Sequence, residues 1–433
     1  MKPRQIIYTT VLILLSLVLT RPATAFEIVI DQGVENALPI AVVPFAWSQS
    51  ASMPPEDVAQ VIRQDLARSG RFNTLPPEDM PSKPTGFDQI NFSDWRRVGM
   101  ENVVVGGVKQ QDDGNYEVTF RLVDIYRGTQ IAGYSIRTRA EQLRYTAHQI
   151  ADIIYEKLTG TRGAFATRIA YITVEKQGDK KTHRLEIADA DGHSPQVLLK
   201  SGEPLMSPRW SPDGRRVAYV SFEGKNSAVY VQDVFSGERE AVASHAGINS
   251  APDWSPDGSK LALTLSKDGN PEVYILHLDN KLLQRVTNNG AIDTEPTWSP
   301  DGKTIYFTSD RGGGPQVYSS GVDGPVERVT FDGSYNARPA LSADGKYLAM
   351  VRGGNGAYQI AIQDLESGRS RVLTDGRLDE SPSFAPNGSM IIYATTVGQN
   401  GVLAAVSVDG QVTQRLDATR GDVREPDWGP FQD

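Results

Sequence analysis

Few of the chemical groups in this chain fall at spacings that could do catalysis. Its five histidines (148, 183, 193, 245 and 277) show no paired metal-ligand spacing. Asp189-x-Asp191-Gly192 begins like a calcium loop, but the rest of such a loop does not follow, and a tight turn fits better. Gly302-Lys303-Thr304 ends like a phosphate loop, yet Thr297 stands where the first glycine is required. No Gly-x-Ser-x-Gly occurs, so the nucleophile elbow of propeller-bearing hydrolases is missing. Cysteine is absent, which removes disulfides, thiolate zinc sites, cysteine nucleophiles and lipid attachment at an N-terminal cysteine.

The positive signal is charge gathered just ahead of a recurring Pro-x-aromatic step. The segments are Leu205-Met206-Ser207, Asn249-Ser250-Ala251, Asp293-Thr294-Glu295, Asn336-Ala337-Arg338, Asp379-Glu380-Ser381 and Val423-Arg424-Glu425. Five acids (Asp293, Glu295, Asp379, Glu380, Glu425) face two bases (Arg338, Arg424) among small and polar residues. If these segments ring one mouth of a channel, the funnel suits a polypeptide or a cation.

A repeat puts them in such a ring. Pro-x-Trp-Ser-Pro-Asp-Gly stands at residues 208–214, 252–258 and 296–302, with weaker copies at 339–345 and 382–388 and a truncated one at 426–430. The aromatic or apolar position falls at Trp210, Trp254, Trp298, Leu341, Phe384 and Trp428, a period of 43 to 44 residues. That period fits a four-stranded propeller blade. Each Asp-Gly or Asn-Gly is a reverse turn followed by an alternating apolar strand, such as Val217–Val220 or Ile305–Thr308. The strand Ile169–Val174 has no Pro-x-Trp before it, and the last Pro-x-Trp has no strand after it. Pairing the two closes the ring and leaves no open blade edge, predicting a six-bladed β-propeller. The recurring tryptophans then read as packing between blades, and the turn acids Asp213, Asp257, Asp301 and Asp344 as separate turns rather than a carboxylate cluster.

Residues 26–160 lack the repeat. Ile40–Val43, Val103–Val108 and Tyr116–Ile125 read as strands, and Pro55–Ser69 and Gln142–Leu158 as helices, which makes a compact α/β domain. The expected fold is therefore an α/β N-terminal domain followed by an all-β six-bladed β-propeller over 161–433, joined near Thr159–Gly163. Ahead of both, Lys2 and Arg4, an apolar run from Ile6 to Leu19 and Ala23-Thr24-Ala25 form a secretory leader over 1–25, cleaved after Ala25. The run is too short to span a bilayer, and no later one is long enough, so no membrane span is expected in the mature chain. Cleavage would leave Phe26-Glu27-Ile28-Val29-Ile30-Asp31 as the new N-terminus, an edge strand or an arm that docks on a partner by strand addition. A net charge of −9 argues against nucleic acid or anionic membrane as a partner.

A leader, a small α/β domain and a propeller of Pro-x-Trp-Ser-Pro-Asp-Gly repeats, with the start Phe26–Asp31 and Thr294-Glu295-Pro296-Thr297-Trp298, together resemble the TolB family. These are periplasmic components of the Tol-Pal system of Gram-negative bacteria. The resemblance implies a non-enzymatic binding protein. Its channel mouth would bind the outer-membrane lipoprotein Pal through Asn249, Ser250, Ala251, Asp293, Thr294, Glu295, Arg338, Glu380, Arg424 and Glu425. Its arm, Phe26, Glu27, Ile28, Val29, Ile30 and Asp31, would bind inner-membrane TolA. The system keeps the outer membrane intact and aids its constriction at division, and bacteriocins exploit it in some species. No cofactor is implied, although the family's channel can hold a calcium ion. Leu341, Phe384 and Ala343 depart from the repeat. Two competing readings are a gating module of a hydrolase, for which no catalytic domain remains, and a sugar-binding propeller, for which the rim lacks aromatic platforms.

Overall fold

The computed structural model describes residues 27–32, 37–48, 53–417 and 421–432, with the backbone alone for 27–32 and 417. The leader expected over 1–25, and Phe26, lie outside the described residues. Among the described residues no helix is long and apolar enough to cross a membrane.

Six four-stranded antiparallel blades form the propeller. Five follow the chain in order, their innermost strands being Leu205–Trp210, Asn249–Trp254, Asp293–Trp298, Tyr335–Leu341 and Glu380–Phe384. The sixth is a composite. The last strand, Asp422–Trp428, pairs with Arg168–Gln177, setting Trp428 opposite Ile169 and Asp427 opposite Ala170. The ring thus closes as the repeat count requires.

The repeat motif has a local cause. In the three full copies and the one at 339–345 the serine after the aromatic or apolar position donates its hydroxyl to the turn aspartate: Ser211 to Asp213 (2.5 Å), and Ser255 to Asp257, Ser299 to Asp301 and Ser342 to Asp344 (2.6 Å each). The same hydroxyl accepts the N–H five residues on, at 2.9 Å from Arg216, Lys260, Thr304 and Tyr347. One serine therefore fixes both the turn and the register of the strand after it. The turn acids are spent on this task, and the hydroxyl and N–H bonds hold Asp257 down at about 2. Trp210, Trp254, Trp298 and Phe384 are buried against neighbouring blades, in keeping with a packing role.

The N-terminal domain is a mixed sheet in the order Phe72–Thr74, Leu38–Val42, Asn102–Gln110, Tyr116–Asp124, Thr129–Thr138, with Ala46–Trp47 also beside Asn102–Gln110. Helices α1 (Val58–Arg68) and α3 (Leu143–Thr159) cover one face. Their apolar stripes, including Ile62, Leu66, Ile150 and Ile154, meet Ile40, Val104 and Phe120 of the sheet. A short helix, α2 (Phe92–Arg97), buries Trp95 against the other face beside Val103 and Val123. Asp57 caps α1 by accepting the N–H of Gln60 at 3.0 Å. Gly70 then turns the chain at φ +66°, where a Cβ would lie 2.2 Å from the Val412 side chain, so only glycine lets the two domains approach here.

The segment after residue 26 is an edge strand in this structure. Glu27–Gln32 pairs antiparallel with Thr413–Asp417 and adds a fifth strand to the blade that begins at Glu380.

Candidate functional site

Each inner strand contains a bulge, and each bulge puts a non-glycine residue in the left-handed region just before a proline. The six are Ser207 (φ 51°), Ala251 (48°), Glu295 (54°), Arg338 (53°), Ser381 (58°) and Glu425 (48°). Residues before proline normally take extended backbone, so the ring holds strain of the order of 1–3 kcal/mol at each position. In return, all six line one cavity of about 170 Å³ at the channel mouth.

Side chains on the ring help hold that backbone. Glu295 Oε2 accepts the N–H of Arg338 at 3.0 Å and the Thr308 hydroxyl at 2.9 Å, while its Oε1 takes Arg338 Nε at 2.9 Å. Glu425 Oε2 accepts the N–H of Ser207 at 2.5 Å. Arg338 also donates to the Ser381 hydroxyl. The mouth therefore sets one guanidinium among two carboxylates.

One residue deeper the pattern recurs. The variable position of Pro-x-Trp points away from the buried tryptophan, because successive strand residues face opposite sides. Arg209 from that position meets Asp427 Oδ1 at 3.0 Å and Asp253 Oδ1 at 3.6 Å. Arg209 lines both the mouth cavity and a second cavity of about 230 Å³ reached from the far side, so this cluster forms the neck between them. Burial pushes Asp253 up to about 6, against the pull of Arg209 and the bonds from the Trp298 N–H (2.9 Å) and Thr297 hydroxyl (3.1 Å). A carboxyl raised from 3.8 costs the fold stability while ionised; the cost shrinks as pH falls through the raised value and is gone only below 3.8. Asp253→Asn keeps the acceptor and drops the charge. Its melting temperature should exceed that of the wild type near about pH 8, with the gap narrowing below about pH 6 and closing only below about pH 4; parallel curves would refute the assignment.

Not every expected mouth residue faces the channel. Ser250, Ala251, Thr294, Glu295, Arg338 and Glu425 line it. Asn249 and Asp293 do not, because both are fully buried and tied to the loop that precedes them. Asn249 accepts the His245 N–H at 2.8 Å and donates to the His245 carbonyl at 2.7 Å. Asp293 accepts from Asn289 at 2.6 Å and Arg311 at 2.7 Å. Glu380 and Arg424 line a separate cavity of about 180 Å³ on the rim, beside Leu378 and Asp422.

Sequence reasoning missed the apolar side chains of this face. Strands alternate in direction, so loops from the fourth strand to the next inner strand, and hairpins between second and third strands, all lie at the mouth. Of the exposed large hydrophobics in the propeller, Met206, Ile248, Ile292, Phe331, Tyr358, Leu378 and Val397 are on this face, against Phe235 and Leu282 on the opposite one, with Val197 and Val372 on outer strands of their blades. Ile248, Ile292 and Leu378 are 45%, 50% and 41% exposed and each sits one residue before a buried Asn or Asp anchor. That repeat spacing was the available signal.

A profile described as the TolB beta propeller domain matches residues 155–432, and one for the TolB amino-terminal domain matches 26–131. The chain belongs to the TolB family. A crystal structure of TolB from Acinetobacter baumannii superposes with a TM-score of 0.87 at 41% identity, covering 94% of this chain and all of that one. Among curated relatives, the Tol-Pal system protein TolB of Thioalkalivibrio sulfidiphilus is 50% identical over 226 residues, 52% of each chain. That of Nitrosococcus oceani is 53% identical over 223 residues, 51% of each. The chain spans about half the length of the curated relatives it matches.

The calcium ion suggested by the TolB resemblance finds a poor cage here. Calcium takes about 6–8 oxygens. Both oxygens of Glu295 and of Asp427, and Oε2 of Glu425, already hold a guanidinium, a hydroxyl or an N–H.

Proposed function

We propose that the protein is a non-enzymatic periplasmic connector of the Tol-Pal system, with Pal docking on the propeller mouth. The observation that carries this is the gathering of exposed apolar side chains on one propeller face, around a channel whose charged groups are already internally paired. Exposed apolar patches of this kind mark protein interfaces. A hydrolase would need an unpaired nucleophile and base in a cleft, whereas the mouth carboxylates Glu295 and Glu425 are engaged in holding its backbone. The names of the relatives, Tol-Pal system protein TolB, supply the partner. The arm Phe26–Asp31 and the N-terminal domain are assigned to TolA. Linking Pal to TolA in this way would support outer-membrane integrity and constriction during division.

The carboxylates outnumber the guanidiniums at both mouth and neck, so the channel favours a cationic group on the inserted part of the partner. Calorimetry of the leader-free protein against a periplasmic Pal domain tests the assignment. Saturable binding is expected, together with its loss in Thr294→Arg, which fills the mouth from a side chain that supports no ring residue. Absence of binding by the wild type would overturn it.

A further inference from the structure

We propose that the junction between the α/β domain and the propeller is a proton-operated clamp, closed when His148 is charged and loosened when it is neutral. His148 on α3 is fully buried between the domains. Its Nδ1 lies 2.6 Å from Asp65 Oδ2 on α1. Its Nε2 has no hydrogen-bond partner and lies 3.9 Å from Asp191 Oδ2, in the propeller turn that follows Lys180–Asp189. One ring thus addresses a carboxylate in each domain.

The other charges around it come from the same three elements and from Glu56, just ahead of α1, which accepts from Arg144 at 3.3 Å. Arg68 on α1 binds Asp65 at 2.9 Å and reaches the Ala190 carbonyl of the propeller at 3.4 Å. Arg144 on α3 binds Asp191 and approaches Asp189. Asp152, one turn beyond His148, accepts the Phe165 and Ala166 N–H groups at 2.7 and 3.1 Å where the chain crosses to the propeller. The donor atoms of Asp65, His148 and Asp191 lie within 4.8 Å of one another. Two guanidiniums already occupy this cluster, which makes it a poor cage for a metal cation.

Protonated, the imidazolium offers an N–H to each carboxylate and adds a third cation to a cluster in which Asp65, Asp152, Asp189, Asp191 and Glu56 outnumber the two arginines. Deprotonated, it keeps its proton on Nδ1 for Asp65, and the Nε2 lone pair then faces Asp191. The contact within the α/β domain survives, while the one to the propeller turns repulsive. Burial alone would lower the pKa of His148, but Asp65 and then Asp191 outweigh it and the net shift is upward. A histidine with a raised folded-state pKa contributes stability that is complete below its unfolded value and is lost as pH rises through the folded one. The clamp therefore opens on the alkaline side of 6.5. Gln414, on the strand that pairs with Glu27–Gln32, donates to the Arg68 carbonyl, so the blade carrying the arm touches the same junction.

The absence of native cysteine makes the test direct. Cysteines placed at Glu141 in the α/β domain and Glu366 in the propeller, both exposed, take a donor and acceptor dye. Transfer efficiency in the otherwise wild-type protein, followed from about pH 5 to about 10, should step with a midpoint above 6.5. The histidine Cε1 resonance lost in His148→Gln should titrate with the same midpoint. The step should vanish in His148→Gln. Should that variant fail to fold, Asp191→Asn, which keeps an acceptor for Arg144 but removes the facing charge, should flatten it. A flat wild-type profile, or a step that survives either substitution in a folded protein, overturns the proposal.

Discussion

Replacing Ile248 and Ile292 together by aspartate should weaken binding of a periplasmic Pal domain by at least about 100-fold while leaving the melting temperature almost unchanged. Each isoleucine buried at an interface contributes roughly 1.5–3 kcal/mol, and every 1.4 kcal/mol is about tenfold in affinity. Both side chains are about half exposed in the free protein, so the fold does not depend on their burial. Their backbones, however, are fixed: the Ile248 N–H donates to the Ser266 hydroxyl and the Ile292 N–H to Asp310 Oδ1, each at 2.8 Å. The patch is thus presented without much ordering cost on association. Calorimetry on the double variant beside the wild type decides the matter. Unchanged affinity would move the docking face away from the mouth. Loss of binding with a large drop in melting temperature would show that the residues serve the fold instead. Glu295→Lys is a poorer probe, because Glu295 also holds the Arg338 backbone.

The fold was legible because its cause is repeated. Serine, aspartate and glycine recur at one spacing and perform one job in each full copy, so the blade count and the closing pair could be read from periodicity alone. In the N-terminal domain the apolar stripes gave the two long helices to within three residues. Thr129–Thr138 escaped notice because it is the sheet's edge, and most of its residues are exposed on both faces. Helix α2 is too short to show a period.

The site was legible in place but not in function. Sequence position puts Asn249 and Asp293 at the mouth, yet cannot show that each turns inward, Asn249 to the His245 backbone and Asp293 to the Asn289 and Arg311 side chains. Nor could spacing along the chain reveal the neck or the junction. Arg209, Asp253 and Asp427 meet only because the ring closes, and Asp65, His148 and Asp191 only because two domains dock. Contacts between residues 83 or 218 positions apart leave no local pattern.

The neck makes a second strong prediction, since Asp427 binds three blades at once. Its Oδ2 accepts the Trp210 N–H at 2.7 Å, and its Oδ1 takes Arg209 at 3.0 Å and the Ser383 hydroxyl at 2.9 Å. Asp427→Ala leaves the Arg209 guanidinium with only the longer contact to Asp253, and leaves the Trp210 N–H and the Ser383 hydroxyl each short of an acceptor. Removing one partner of a buried ion pair costs about 3–5 kcal/mol. For a structure of this size that lowers the melting temperature by about 4–6 °C. The loss should exceed that of Asp427→Asn, which keeps an acceptor for Trp210, and should oppose the effect of Asp253→Asn above about pH 6. This contrast separates the two carboxylates beside one arginine: Asp427 latches the closing strand, whereas Asp253 bears a desolvation cost that Arg209 only partly offsets. A melting temperature for Asp427→Ala within about 2 °C of the wild type would mean that strand pairing of Asp422–Trp428 with Arg168–Gln177 holds the ring shut without the neck.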